Sequence, residues 1–388
     1  MLKSTSEILS RKLTSLSKFQ LTCYSIAAQP ITQERLQKFR TSETVCSKHS
    51  IEHLSQFYKV PANDKKQIFA HGGLTKSFEE QSKSFNETCL MIRQPALDVI
   101  SLLKTLDYSQ PVVRFVLYGR KGSGKTVSLA HILHYAFQEG FLIVHIPWLG
   151  NWMRRCRENS NSEDKEGYVD INFDAAAWLL HFKTQNAHLL SKPEAKTSQD
   201  HVWSKREITP AGSPLLSIIE HGINRLKYAS KAVVVICNEV KELSNQGVFK
   251  TLVAVDGFNA FFYPSTRVYT EKKEAVPPHK VTVTEGFINL SKFDWKNGAV
   301  VVTVDQIAAG QNDQLSYLPR YLLGKDGFEH LDPFVPISVP DYTTKEFISC
   351  MEYYRGRKWV QPYTGQDDEL KFISASNPYN LMKLCNSL

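Results

Sequence analysis

The sequence predicts an α/β fold: a P-loop sheet of parallel strands with helices on both faces, followed by a small helical appendage. Two observations carry this. Five apolar runs of strand length, "VVRFVLY" (112–118), "FLIVHI" (141–146), "TLVAVD" (251–256), "AVVVTV" (299–304) and "PFVPISV" (333–339), are spaced along one chain with helical stretches between them. Strands that alternate with helices pair in parallel and are covered on both faces. The second observation is "GRKGSGKT" (119–126), which links the first of these runs to "KTVSLAHILHYAFQEG" (125–140), a helical pattern closing at Gly140, a residue type favoured just past a helix end.

The chain has 388 residues, 42% of them hydrophobic, enough for one large domain or two ordinary ones. Its net charge of +8 is mild and by itself favours acidic partners only weakly. Seven cysteines, at 23, 46, 89, 156, 237, 350 and 385, include no Cys-x-x-Cys pair. That spacing signals neither a zinc ribbon nor a redox dithiol, and fits free thiols in a reducing compartment. No apolar run approaches the roughly 20 residues that span a bilayer.

Residues 1–30 carry Lys3, Arg11, Lys12 and Lys18 against Glu7, are rich in Ser and Thr, and place Leu9, Leu13 and Leu16 at helical spacing. This predicts a mitochondrial transit peptide, and the missing apolar h-region argues against a secretory signal. Residues 31–85 are polar and lack a sustained period. They read as an extended arm with short helices, ordered by a partner. From 86 to 340 the nucleotide-binding domain follows. It opens with a helix after Pro95, carrying Leu97, Ile100 and Leu103, since Pro suits a first helical turn. "KYASKAVVVICNEVKEL" (227–243) fits a sixth strand or a buried helix. Residues 341–388 hold amphipathic helices in "YTTKEFISCMEYYRGR" and "NPYNLMKLCN" without strands.

The loop pattern is Gly119-x-x-x-x-Gly124-Lys125-Thr126, with Arg120, Lys121, Gly122 and Ser123 between and Val127 after. Glycines let backbone N–H groups wrap phosphates, and the helix N-terminus faces them. Lys125 is the expected contact to the outer phosphates and Thr126 a Mg²⁺ ligand. Asp256, at the C-terminal end of an apolar strand, supplies the second magnesium anchor. A catalytic carboxylate is missing beside it, because the sequence runs Asp256-Gly257-Phe258-Asn259. Asn259 would orient a water without taking its proton, Glu239 and Glu242 lie upstream unplaced, and "WMRRCRE" offers Arg154, Arg155 or Arg157 as a finger. The pattern therefore predicts a nucleotide held and at most slowly hydrolysed. The guanine signature Asn-Lys-x-Asp is absent, so the pattern alone suggests ATP.

Taken together, "CLMIRQPALDVI", "VLYGRKGSGKT", "TLVAVDG", "VWSKRE" with "GSPL", "LLGKDGFEHLDPF" and "SNPYNL" resemble the death-associated protein three family of mitochondrial small-subunit ribosomal proteins. The resemblance runs from about residue 85 to the C-terminus. It implies an AAA-like P-loop fold with sheet order 5-1-4-3-2, and GTP or GDP with Mg²⁺ in place of ATP. It also implies a place in the head of the mitochondrial small subunit, facing the large subunit. The implied partners are small-subunit rRNA, neighbouring ribosomal proteins and large-subunit proteins across an intersubunit bridge. Met91, Ile92, Arg93 and Pro95 become candidates for covering the base, and Asn377 and Pro378 for a lid turn. Where such lids carry an arginine after the proline, this chain has Tyr379 and Asn380, which again argues against efficient hydrolysis. The alternatives are an active NTPase acting as an assembly or switch factor, and an apoptosis-linked signalling module. The basic clusters "WMRRCRE" and "YYRGRKW", with Trp148, Trp152 and Trp359 nearby, suit contacts to RNA phosphates or a partner.

Overall fold

A computed structural model describes residues 39–264, 266–308 and 316–386. The expected transit peptide and the first residues of the arm lie outside them.

In chain order the elements that position the site are β1 (Phe57–Lys59), α1 (Ala62–Ile68), α2 (Lys76–Ser84), β2 (Cys89–Met91) and α3 (Gln94–Thr105). Next come β3 (Val113–Tyr118), α4 (Lys125–Gln138), β4 (Leu142–Ile146), α5 (Leu149–Arg154), α6 (Asn172–Gln185), α7 (Leu215–Asn224) and α8 (Ala229–Asn245). Then follow β5 (Thr251–Val255), α9 (Thr282–Leu290), β6 (Gly298–Thr303), α10 (Pro319–Leu331) and β7 (Val335–Ser338). The chain closes with α11 (Thr344–Gly356), α12 (Gln366–Ser374) and α13 (Pro378–Cys385).

All five apolar runs form strands of one parallel sheet, in the order β7-β3-β6-β5-β4. Numbered along the chain this is 5-1-4-3-2, the order the resemblance implies. The register puts Val300 of β6 beside Arg114 of β3 and Val253 of β5. Alternate residues feed opposite cores, as the pleat requires. Val116, Val144, Val253 and Val302 pack with α6, α7, α8 and α9. Phe115, Leu117, Ile143, Ala254 and Val301 pack with α3 and α4. Each fully buried aliphatic side chain contributes about 1.5–3 kcal/mol. Among the described residues, no helix is long and apolar enough to cross a membrane.

The ambiguous segment at 227–243 is helical. Its buried apolar positions, Ala232, Val233, Ile236, Cys237, Val240 and Leu243, recur three and four apart and form one core-facing stripe, and Ser230, Glu239, Lys241 and Ser244 are buried beside it. The arm differs from its expected state. From residue 39 it is ordered against the domain itself, with β1 pairing antiparallel with β2, Phe57 opposite Met91. Cys46 and Tyr58 are fully buried in the core that α4 shares. A third core joins the arm to the C-terminal helices: Phe39, Phe57, Phe85 and Met91 pack with Phe347, Met351, Tyr353 and Leu381.

Candidate functional site

Parallel sheets gather their loops at the C-terminal ends of the strands. Here β6 lies between β3 and β5, so the residues just after β3, β5 and β6 meet. After β3 comes the glycine-rich loop 119–124, which ends in α4. The first N–H groups of a helix have no partner within it, so the start of α4 presents donors at Lys125, Thr126 and Val127. Lys125 is buried. Its Nζ donates to the carbonyls of Gly119 and Arg120, both at 2.9 Å, and pairs with Asp305 at 2.8 Å. Thr126 Oγ1 donates to Asp256 Oδ2 at 2.7 Å. The Thr303 hydroxyl donates to the other oxygen of Asp256.

Asp256 is fully buried, and burial pushes its carboxyl up to about 6 against the pull of the hydrogen bonds from Thr303 and Thr126. Asp305 nearby pushes the same way. Hydroxyl, carboxylate pair and ammonium therefore form one compact charged cluster at the mouth of the helix. Such a set complements a polyphosphate and its divalent cation.

A cavity of about 610 Å³ opens above the cluster, within the size range of small-molecule sites. Of the residues expected at the site, Met91, Arg93, Lys121, Gly122, Gly124, Lys125, Thr126, Val127, Asp256 and Pro378 line it. Gly119, Arg120, Ser123 and Asn377 do not. They shape the loop from behind: Arg120 pairs with Asp341 at 3.2 Å, Ser123 is fully buried, and Asn377 Nδ2 donates to the Lys121 carbonyl at 3.0 Å. Asn377 also caps α13 by accepting from Asn380 N–H, and Pro378 fills the first turn of that helix. The Tyr379 N–H donates to the Gly122 carbonyl at 3.1 Å. The lid turn thus sits directly on the loop. Gly122 permits this, since φ is +80° and a Cβ there would fall 2.6 Å from Asn377 Oδ1.

Arg93, which lines the cavity, is also tied into the frame around it. Its guanidinium is buried and joins three elements. Nε donates to Glu346 of α11 at 2.8 Å, Nη1 to the Ser123 carbonyl at 2.6 Å, and Nη2 to the Pro340 carbonyl at 2.8 Å. It therefore fixes the glycine-rich loop to the lid. The wall away from the charged cluster comes from the arm and the lid, through Leu74, Phe78, Gln81, Phe85, Tyr353 and Tyr354. None of these was expected from the sequence, because the arm lacks periodicity. Asp305 and Thr303 were also missed, although "VVTVDQ" repeats the pattern of an apolar strand ending in an acid.

The expected catalytic alternatives are otherwise engaged. Asn259 is locked to Asp305: its Nδ2 donates to the Asp305 carbonyl and its Oδ1 accepts the Asp305 N–H. Glu239 accepts from Ser198 N–H at 2.7 Å and approaches His201 Nε2 at 2.7 Å, and it does not line the cavity. Arg154 donates to the Ile307 carbonyl, while Arg155 and Arg157 are exposed. A side chain in place of Gly257 would be strained, since φ is +78° and a Cβ would lie 3.1 Å from the Trp148 ring. In the second basic cluster Lys358 is exposed and both arginines are engaged within the chain. Arg355 pairs with Asp367, and Arg357 pairs with Glu87 at 3.4 Å and donates to the Phe85 carbonyl. Trp152 is in the core, Trp359 packs on Phe85, and Trp148 lines the cavity.

The family model for mitochondrial ribosomal death-associated protein 3 matches residues 90–384. The chain is 41% identical over 350 residues to small ribosomal subunit protein mS29 of Bos taurus, covering 89% of this chain and 87% of the relative. It is 39% identical over 353 residues to mS29 of Mus musculus, covering 90% and 89%. The mS29 of Neurospora crassa is 25% identical over 164 residues, 42% of this chain and 33% of the relative.

Proposed function

The chain belongs to the mitochondrial ribosomal death-associated protein 3 family, and from that premise we propose that it is a structural component of the mitochondrial small ribosomal subunit whose P-loop fold holds a guanine nucleotide with Mg²⁺. Its mitochondrial localisation comes with the family. The structural role is supported by the near full-length match to two proteins named for that subunit. Its position in the head, against small-subunit rRNA and across the bridge to the large subunit, rests on the family resemblance.

One observation carries the nucleotide reading. Lys125, Thr126, Asp256 and Asp305 converge at the C-terminal ends of three adjacent parallel strands, at the start of a helix and beneath a cavity. In this reading the N–H groups of the loop and of the first turn of α4 bind the phosphates, and Lys125 turns from its present carbonyl partners to the outer ones. Thr126 and Asp256 hold the magnesium. The aromatic wall of arm and lid faces the base, and the preference for guanine comes from the resemblance. Hydrolysis is slow or absent in this reading, because glycine follows Asp256 where a second carboxylate would stand, the neighbouring Asp305 is paired with Lys125, and the lid offers Tyr379 in place of an arginine. Turnover is expected on the order of 10⁻³ s⁻¹ or slower, as for an unassisted GTPase.

Lys125→Ala tests the reading. The variant should copurify with no nucleotide while the wild type retains it. Equal nucleotide content per folded chain would overturn the assignment of the loop.

A further inference from the structure

On the far side of α4 from the proposed nucleotide, the arm contributes a cluster that the preceding functions do not use. Cys46 and His49 are separated by two residues on a turn of the arm. His131 and His134 have the same spacing on α4, where residues three apart share a face. We propose that Cys46, His49, His131 and His134 bind one Zn²⁺ ion, which staples the arm to the helix behind the glycine-rich loop.

The geometry supports a metal before one is added. Cys46 Sγ and one ring nitrogen each of His49 and His131 lie within 4.8 Å of one another, and all three residues are buried. His49 Nδ1 is 2.8 Å from His131 Nε2, and His134 Nδ1 is 3.2 Å from Cys46 Sγ. A tetrahedral zinc with bonds of about 2.0–2.1 Å to nitrogen and about 2.3 Å to sulphur sets its ligand atoms roughly 3.3–3.6 Å apart. The facing imidazoles would part by a few tenths of an ångström, and His134 would move in from beside the sulphur, giving up the Tyr58 hydroxyl that now lies 3.1 Å from its Nδ1.

His49 and His134 have the outer contacts of metal-bound histidines, whose other nitrogen is held by a carboxylate or a carbonyl, while Nδ1 of His131 is buried without a partner. His49 Nε2 faces the Glu43 carbonyl at 3.1 Å. His134 Nε2 faces Asp64 Oδ2 at 2.9 Å. Both rings therefore turn Nδ1 inward, toward the site. One thiolate and three imidazoles suit a borderline-soft, tetrahedral cation, and the absence of carboxylate from the inner set argues against magnesium or calcium. On binding, the Cys46 thiol gives its proton to solvent and the sulphur becomes the ligand. Zinc with one thiolate carries a single positive charge, and Asp64 next to His134 balances it. With four protein ligands the site has no open position, which marks it as structural rather than catalytic. The competing arrangement is a hydrogen-bonded cluster, with His131 Nε2–H donating to His49 Nδ1.

The test is the metal content of the full-length chain, purified without a polyhistidine tag and without chelator. About one zinc per chain is expected, with Cys46→Ser and His131→Gln each losing it. Because those variants can fail to fold, chelator-treated wild type is also titrated with Co²⁺. Intense visible bands of tetrahedral cobalt with a sulphur charge-transfer band, both displaced by zinc, are expected. Zinc at wild-type stoichiometry in folded Cys46→Ser would overturn the proposal. So would wild type that carries no zinc and gives only the pale spectrum of octahedral cobalt.

Discussion

Replacing Arg93 by methionine removes the buried cation that ties the glycine-rich loop to the lid. The side chains of Arg93 and Glu346 are only 5% and 7% exposed. Removing one partner of such a pair leaves the other charge buried, at a cost of about 3–5 kcal/mol. The Thr343 N–H continues to donate to Glu346 at 2.8 Å, which offsets part of that loss. The Ser123 and Pro340 carbonyls lose their donor at the same time, and a buried acceptor left unmet costs about 1–3 kcal/mol. The expected destabilisation is therefore about 3–5 kcal/mol in urea unfolding of nucleotide-free protein, so that ligand linkage does not contribute. Glu346→Gln removes the carboxylate charge while keeping its shape. In the double variant Arg93→Met/Glu346→Gln the losses should fall short of their sum by about 1–3 kcal/mol. An Arg93→Met protein within ~1 kcal/mol of wild type, or strictly additive losses, would refute the role of Arg93 as the joint between loop and lid.

Three further outcomes follow from the same geometry. Gly122→Val adds a side chain where φ is +80° and Tyr379 Cβ would be 2.7 Å away; it should speed nucleotide dissociation by at least about tenfold, the equivalent of 1.4 kcal/mol, and unchanged release in a stopped-flow chase would contradict the seating of the lid. Magnesium-dependent nucleotide binding should weaken as pH falls through about 6, where Asp256 takes up a proton. In the nucleotide-free chain the same group binds protons more readily folded than unfolded, so its contribution to stability grows as pH falls from about 6 towards the unfolded value of about 3.9. Asp256→Asn should abolish both effects, and titrations that keep the wild-type pH dependence would count against the assignment. Glu239→Gln should leave single-turnover hydrolysis unchanged, because Glu239 serves Ser198 and His201; loss of turnover would mean that it reaches the nucleotide.

The sheet was legible because every strand is a short apolar run bounded by polar loops, and burial on both faces demands that pattern. That the loop and Asp256 come together was legible because each follows an apolar strand run, and parallel sheets gather those ends. Arg93 was visible as a basic residue beside the sheet, but its partners lie about 30 and 250 residues away, and no local pattern encodes such pairings. The arm was misjudged for the same reason. Tyr58 and Phe57 find their cores through pairing with β2 and contact with α11, which leaves little period in the sequence itself. Helix α12 went unnoticed because it buries little apart from Gln366, Leu370 and Ser374 and leaves Phe372 exposed. Asp305 carried a readable signal, an acid at the end of "VVTV". Its meaning depends on β6 lying beside both β3 and β5, which is a property of the sheet order.

The most direct test is to denature the purified chain, release whatever it holds and count the nucleotide by chromatography. The proposed function predicts a guanine nucleotide at about one per chain, since a ligand of the folded state alone adds a few kcal/mol of stability at ~100-fold excess over its dissociation constant. A chain that is folded, releases no nucleotide and takes up none with Mg²⁺ would contradict it.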